Sequence, residues 1–377
     1  MPIEHAPILE QTAIGFGVTL GALVVLAKAA PKLGLLDYPS ARKQHLAPTP
    51  LVGGIAIYLA LCTALILYTL GVPVGLPISL VSYNSDATVM VFITGCTILV
   101  VTGALDDRFQ LGVFVRLLAE FAVALLLIET LHLHFTDIGN LLGNGPITVP
   151  YSLGYGLGLL VIVGIINAYN MLDGIDGLLP ALALCAMLVF RFLSNHPPGL
   201  FGMTFAGALL AFLAANLQLI PRLPKVFLGD AGSKLLGFAM VALLLTTTTS
   251  QVGTPTLSKV TALYVIGLPL YDLGYVVLRR LSRGQSPFKP DLNHLHHLLK
   301  ASGASDRRTV ALIVVIQLFI GYLGWLVHNT NMPEYHQFGI FMGGFVLYGI
   351  LVHQVQLAVA YFHHQNRSDN ANPKAAE

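Results

Sequence analysis

Apolar residues run through this chain in long blocks. They show neither the alternation of a half-buried strand nor the single stripe of a surface helix. Eleven blocks centre near 8–27, 51–71, 87–105, 113–133, 152–170, 178–193, 199–220, 233–249, 260–278, 310–328 and 337–360. Each approaches the roughly 20 residues that carry a helix across about 30 Å of hydrocarbon. In lipid a spanning segment must satisfy its own backbone, which a helix does. The weakest block, 178–193, is short and contains Arg191. The pattern predicts an all-α polytopic membrane protein of about 11 transmembrane helices. It forms one transmembrane domain over residues 1–363, and a polar, disordered cytoplasmic tail follows over 364–377.

Charge orients the spans. Of the 20 Lys and Arg, 18 fall in alternate loops or the tail, leaving Arg191 and Lys259. The loops 72–86, 134–150 and 329–336 contain none. Basic loops stay in the cytoplasm, so the N-terminus is periplasmic and the C-terminus cytoplasmic. The first block has no basic residue before it and carries Glu4 and Glu10, unlike a signal peptide. Composition agrees: 55% hydrophobic, 10% charged, mean hydropathy +0.75, against about 25% charged for soluble domains. A net charge of +2 implies no nucleic-acid partner. Cys62, Cys96 and Cys185 lie far apart in apolar blocks, with no metal or disulfide spacing.

On this topology four polar clusters gather at cytoplasmic ends of spans. Asp106 and Asp107 end the third block; a helix turns about 100° between them, so they serve different roles. Arg108 beside them would neutralise the pair. In Asn167-Ala-Tyr-Asn-Met-Leu-Asp-Gly-Ile-Asp-Gly177, the side chains of Asn170, Asp173 and Asp176 fall within roughly 120° of one helix face. Oxygen donors of this kind suit Mg²⁺ or Mn²⁺. Asp230, in Phe227-Leu-Gly-Asp-Ala-Gly-Ser233, opens a further span, either as a cap or as a ligand for a phosphate-bridging metal. His294, His296 and His297 sit in a loop rich in Lys and Arg, which favours phosphate recognition over zinc. Together these are the parts for phosphoryl chemistry on a lipid substrate at a cytoplasmic-face active site.

The same residues resemble the polyprenyl-phosphate N-acetylhexosamine-1-phosphate transferases, above all the bacterial undecaprenyl-phosphate GlcNAc-1-phosphate branch that initiates O-antigen and enterobacterial common antigen. The likeness covers about 33–310. It includes Gly34-Leu-Leu-Asp-Tyr-Pro, Arg42-Lys-Gln-His45, Pro50-Leu-Val-Gly-Gly54, Gly103-Ala-Leu-Asp-Asp-Arg-Phe109, the 167–177 and 226–233 segments, and Ser286-Pro-Phe-Lys-Pro with His294-Leu-His-His297. It implies a Mg²⁺- or Mn²⁺-dependent inner-membrane homodimer that takes UDP-GlcNAc and undecaprenyl phosphate to UMP and the lipid-diphosphate sugar. By resemblance Asp106 and Asp107 are catalytic, and Asp230 and Asn170 hold the metal. Asp173, Asp176, Arg116, Lys43, His45, His294, His296 and His297 bind substrate, with Asp176 at the uracil and Arg116 near the lipid phosphate. Leu295 interrupts the three consecutive histidines of the pentapeptide-carrying branch, which favours a simple aminosugar; another UDP-aminosugar stays open. Direct displacement and an acyl-phosphate intermediate on Asp also stay open. A rival of another class is a secondary transporter, for which the acids inside spans, Glu120, Glu129 and Asp272, are the pointers.

Overall fold

The computed structural model describes residues 6–39, 47–70, 85–194, 200–248, 257–286 and 293–371. Each of the eleven apolar blocks is helical there, because a continuous apolar run in lipid has its own backbone as its main hydrogen-bonding partner. The helices are α1 (Ala6–Leu33), α2 (Gly53–Thr69), α3 (Ser85–Phe109), α4 (Val113–Leu131), α5 (Tyr151–Leu172), α6 (Leu178–Leu193), α7 (Leu200–Asn216) and α8 (Gly229–Thr248). They continue with α9 (Lys259–Val265), α10 (Gly267–Ser282), α11 (Leu295–Ala301), α12 (Asp306–Asn329) and α13 (Glu334–Ala371). A two-residue pair, β1 (Leu36–Asp37) and β2 (Thr49–Pro50), runs antiparallel.

The chain is an all-α polytopic membrane protein. Among the described residues six helices are long and apolar enough to cross a bilayer: α1, α3, α5, α8, α12 and α13. Counting α9 and α10 as one bent span gives seven. The blocks forming α2, α6 and α7 give shorter apolar helices. Helix α13 continues to Ala371, into the segment that composition marks as a tail. Helix propagation adds one hydrogen bond per residue, and no proline intervenes before Pro373.

Helix α8 is the axis of the bundle, almost wholly buried and packed against α2, α3 and α5. Its first turns nevertheless carry Asp230, Ser233 and Lys234. The block at 260–278 does not form one straight helix: α9 and α10 meet at 90°. Pro269 lacks an N–H and clashes with a continuing helix. Gln317 on α12 repairs the break: its Nε2 donates to the Val265 carbonyl at 2.9 Å and its Oε1 accepts from the Leu268 N–H at 3.0 Å. In hydrocarbon such repair is what makes a broken helix tolerable.

Candidate active site

The site is built around the N-terminus of α8. The segment before it is fixed by backbone pairing: Phe227 N–H donates to the Pro50 carbonyl, and Gly53 and Gly54 donate to Phe227 and Leu228. Helix α3 then descends onto α8 so closely that a Cβ on Gly103 would collide with the Ala231 backbone. This approach places Asp107 over the helix start. Its carboxylate accepts the N–H groups of Asp230 at 3.0 Å and Ala231 at 3.5 Å. Those N–H groups have no partner within their own helix, so Asp107 caps α8 from α3.

Asp106, one residue earlier, points elsewhere, as the helical turn requires. It is buried, with Arg116 of α4 at 3.3 Å and Lys234 of α8 at 3.9 Å. Lys234 also lies 3.7 Å from Glu120, which accepts a 2.6 Å hydrogen bond from Asn167. Among the described residues Arg108 makes no ion pair with this cluster; its guanidinium lies over the Phe109 ring. Sequence reading counts Lys234 among loop cations and Glu120 among span acids. The structure joins them across two helices. The available signal is a Lys one turn after Asp230 inside an apolar block.

The turn between α5 and α6 supplies the next group. Asn170 accepts a 2.6 Å hydrogen bond from the Ser233 hydroxyl, tying α5 to α8. Asp173 follows the last residue of α5. It keeps access to solvent, yet the protein packed around it desolvates the carboxyl, and Asp107 and Asp176 add like charge; together they push it up to about 7. Asp176 pairs with Lys225 at 2.7 Å and accepts from Asn216 at 3.4 Å. Asp107 thus has both Asp173 and Asp230 near it, and Asp106 lies near Asp230. Among the described residues no three His, Cys, Asp or Glu side chains are grouped to hold a metal ion. The oxygen-only donors still fit a hard cation such as Mg²⁺, which is commonly held by one or two carboxylates plus substrate phosphates.

The three histidines divide. His294 and His297 are three residues apart at the start of α11, share a face and line a cavity. His296 falls on a different face of the helix and turns inward. It is 0% exposed, packs on His297 with ring centroids 4.0 Å apart, and sits where a Cβ on Gly174 would be. This differs from three histidines facing substrate, and the cause is the turn of the helix. Burial, then the neighbouring His297, push its imidazole down to about 3. Lys43 and His45, with residues 287–292, lie outside the described residues.

The cavity holds about 960 Å³ between α4, α5, α8 and the bent α9–α10 pair. One end carries Arg116, Lys234, Asn170, Arg280, His294 and His297. The middle is apolar, lined by residues such as Leu117, Phe121, Leu160, Val241 and Leu273. The far end reaches Phe135, Lys259 and Phe338, where Lys259 pairs with Asp137 at 2.7 Å.

Residues 89–248, which run from within α3 to the end of α8 and hold the acid cluster, match Glycosyl transferase family 4. The chain is 35% identical over 331 residues to an undecaprenyl-phosphate alpha-N-acetylglucosaminyl 1-phosphate transferase of Escherichia coli, covering 86% of this chain and 85% of that protein. The chain belongs to this family. Transferases of the same name from Yersinia pestis and Haemophilus influenzae are 33% and 31% identical, covering 89% and 90% of this chain and 89% and 92% of theirs. The family region ends at Thr248, so α9 to α13, with the histidine segment, lie beyond the matched domain. The relatives extend the likeness over most of the chain.

Proposed function

We propose that the protein transfers N-acetylglucosamine 1-phosphate from UDP-GlcNAc to undecaprenyl phosphate in the bacterial inner membrane. UMP leaves, and the lipid-diphosphate sugar initiates a cell-surface polysaccharide. One observation carries this reading: a cavity whose cationic head, Arg116 and Lys234, flanks Asp106 and whose apolar body lies between membrane helices. An anionic head on a long hydrocarbon fits that shape. The related transferases point to the same lipid and sugar.

A phosphate monoester has its second pKa near about 6 and is largely dianionic at neutral pH. Its oxygen attacks the β-phosphorus directly and displaces UMP. Arg116, Lys234 and Arg280 offset the charge that gathers on the two phosphates. Direct displacement is favoured because both oxygens of Asp107 accept backbone N–H groups, and cations hold Asp106. Carboxylates so engaged are weak nucleophiles. A bound Mg²⁺ or Mn²⁺ would supply further charge neutralisation on the diphosphate. Asp230 and Asn170 would hold it. Asp176 with Lys225 takes the uracil side, and His294 and His297 take the sugar diphosphate, with Lys43 and His45 completing the substrate contacts. Eleven spans, a periplasmic N-terminus, a cytoplasmic C-terminus and a homodimer complete the reading.

The test offers several UDP-aminosugars, undecaprenyl phosphate and Mg²⁺ to protein in nanodiscs and identifies the lipid product by mass. GlcNAc-diphospho-undecaprenol and an equal amount of UMP are expected. A different sugar on the lipid would move the substrate assignment, and no lipid-linked sugar from any donor would defeat the reading. For the metal, Asp230→Asn should raise the Mg²⁺ concentration needed for half-maximal rate. Asp107 already caps this helix, so an unchanged requirement with normal turnover would leave Asp230 without a role at the metal.

A further inference from the structure

Asp272 is an acid inside a membrane block, and the reaction above does not use it. Burial of a lone carboxylate in hydrocarbon costs several kcal/mol unless it is paired and hydrogen-bonded. The structure shows the pairing. Asp272 follows the break at Pro269, on the second turn of α10, and is 2% exposed. Its Oδ2 lies 2.6 Å from His294 Nδ1. Its Oδ1 accepts from the Leu295 N–H at 3.1 Å and from the Tyr348 hydroxyl of α13 at 2.7 Å. One carboxylate therefore joins α10, the start of α11 and α13.

We propose that Asp272 is a positioning residue that sets the tautomer of His294, an inference that rests on the transferase reading above. A carboxylate only accepts, so His294 Nδ1 carries the proton. The ring's other nitrogen, Nε2, is then the one left for the cavity that His294 lines. There it accepts a hydrogen bond from a hydroxyl of the sugar substrate, with Asp272 fixing the ring's orientation. A carboxylate behind a histidine acts this way wherever ring orientation and charge matter. The α9–α10 break gains a role as well: it ends one helix and starts another so that Asp272 comes level with the histidine segment.

Asp272→Asn discriminates sharply because of the donor count on each oxygen. Two donors, Leu295 N–H and Tyr348 O–H, converge on the Oδ1 side, and one ring nitrogen faces the Oδ2 side. The amide oxygen of Asn takes the side with two donors. Its NH₂ then faces His294 Nδ1, which must accept and lose its proton.

Two measurements on the full-length protein in nanodiscs test this. The first is ¹⁵N NMR on histidine-labelled protein, with the His294 signals assigned by their loss in His294→Gln. A protonated Nδ1 is expected in the native protein and a proton-free Nδ1 in Asp272→Asn. The second is kcat/KM for UDP-GlcNAc. Asp272→Asn and His294→Gln should each fall by roughly 10- to 100-fold, about one lost hydrogen bond in the transition state. The double variant should be no slower than His294→Gln alone, since Asp272 acts only through His294. An Nδ1 that keeps its proton in Asp272→Asn overturns the proposal, as do single effects that multiply in the double variant. A native protein that makes no lipid-linked sugar defeats the transferase reading instead, and the NMR comparison still decides the tautomer.

Discussion

The Asp106–Arg116–Lys234–Glu120 cluster and the Asp272–His294–Tyr348 cluster are both buried beside one cavity, yet their contacts differ in kind. Charged pairs in the first stand 3.3 to 3.9 Å apart: Arg116 donates a long hydrogen bond to Asp106 at 3.3 Å, and Lys234 Nζ makes none to a described residue. Partners in the second lie at 2.6 to 3.1 Å, with three donors on a single carboxylate. Coulomb attraction survives at the longer distances, whereas hydrogen bonding needs the shorter ones and good angles. The first cluster thus keeps unspent donors for an incoming phosphate. The second has spent its own and holds a histidine still. Charge with open donors meets substrate, and fully bonded charge aims another group.

Four substitutions would break or sharpen this comparison. The largest effect is expected from Asp106→Asn, which removes the anion between Arg116 and Lys234. Turnover should fall by roughly 10²- to 10³-fold, the scale of a lost transition-state contact, while KM for the UDP-sugar shifts by less than about 3-fold. Normal turnover in steady-state assays would take Asp106 out of catalysis. Next comes Lys234→Met, which leaves Asp106 and Glu120 buried with one cation fewer. Removing one partner of a buried pair costs about 3–5 kcal/mol. The unfolding midpoint in detergent should drop accordingly, and adding Glu120→Gln should recover part of it. No recovery would mean that the two charges are not coupled.

The third effect is a pH dependence. His296 titrates at about 3 when folded and near 6.5 in its ordinary state. Between those values the unfolded chain binds one more proton, so this histidine's contribution to stability falls as pH drops below 6.5. The slope is about 1.4 kcal/mol per pH unit. His296→Leu should flatten the acid limb of a melting-temperature profile through that window, and an unaltered limb would refute the buried neutral imidazole. The smallest effect belongs to Lys300→Ala. Lys300 pairs with Asp306 at 2.9 Å, but Asp306 is half exposed. Solvent screening leaves such pairs about 0–1 kcal/mol, so melting temperature and turnover should barely move. A loss as large as that of Lys234→Met would erase the distinction between buried and surface charge.

Much of the plan is written in the chain. Lipid forces each apolar block into helix, because no other local structure satisfies an isolated backbone there. Turn residues and helical phase also act locally, and they are enough to start a helix at Asp230, to break one near Pro269 and to turn Asp106 from Asp107. Other features depend on which helix meets which. Lys234 reads as one more loop cation until α4 brings Glu120 and Arg116 beside it. His296 reads as one of three equivalent histidines until α11 lands against Gly174. Asp272 reads as a transporter's acid until α11 and α13 deliver three donors to it. Periodicity determines which residues share a face. Only the packing of distant helices decides what that face touches, since contact energies arise between segments whose register no local pattern encodes.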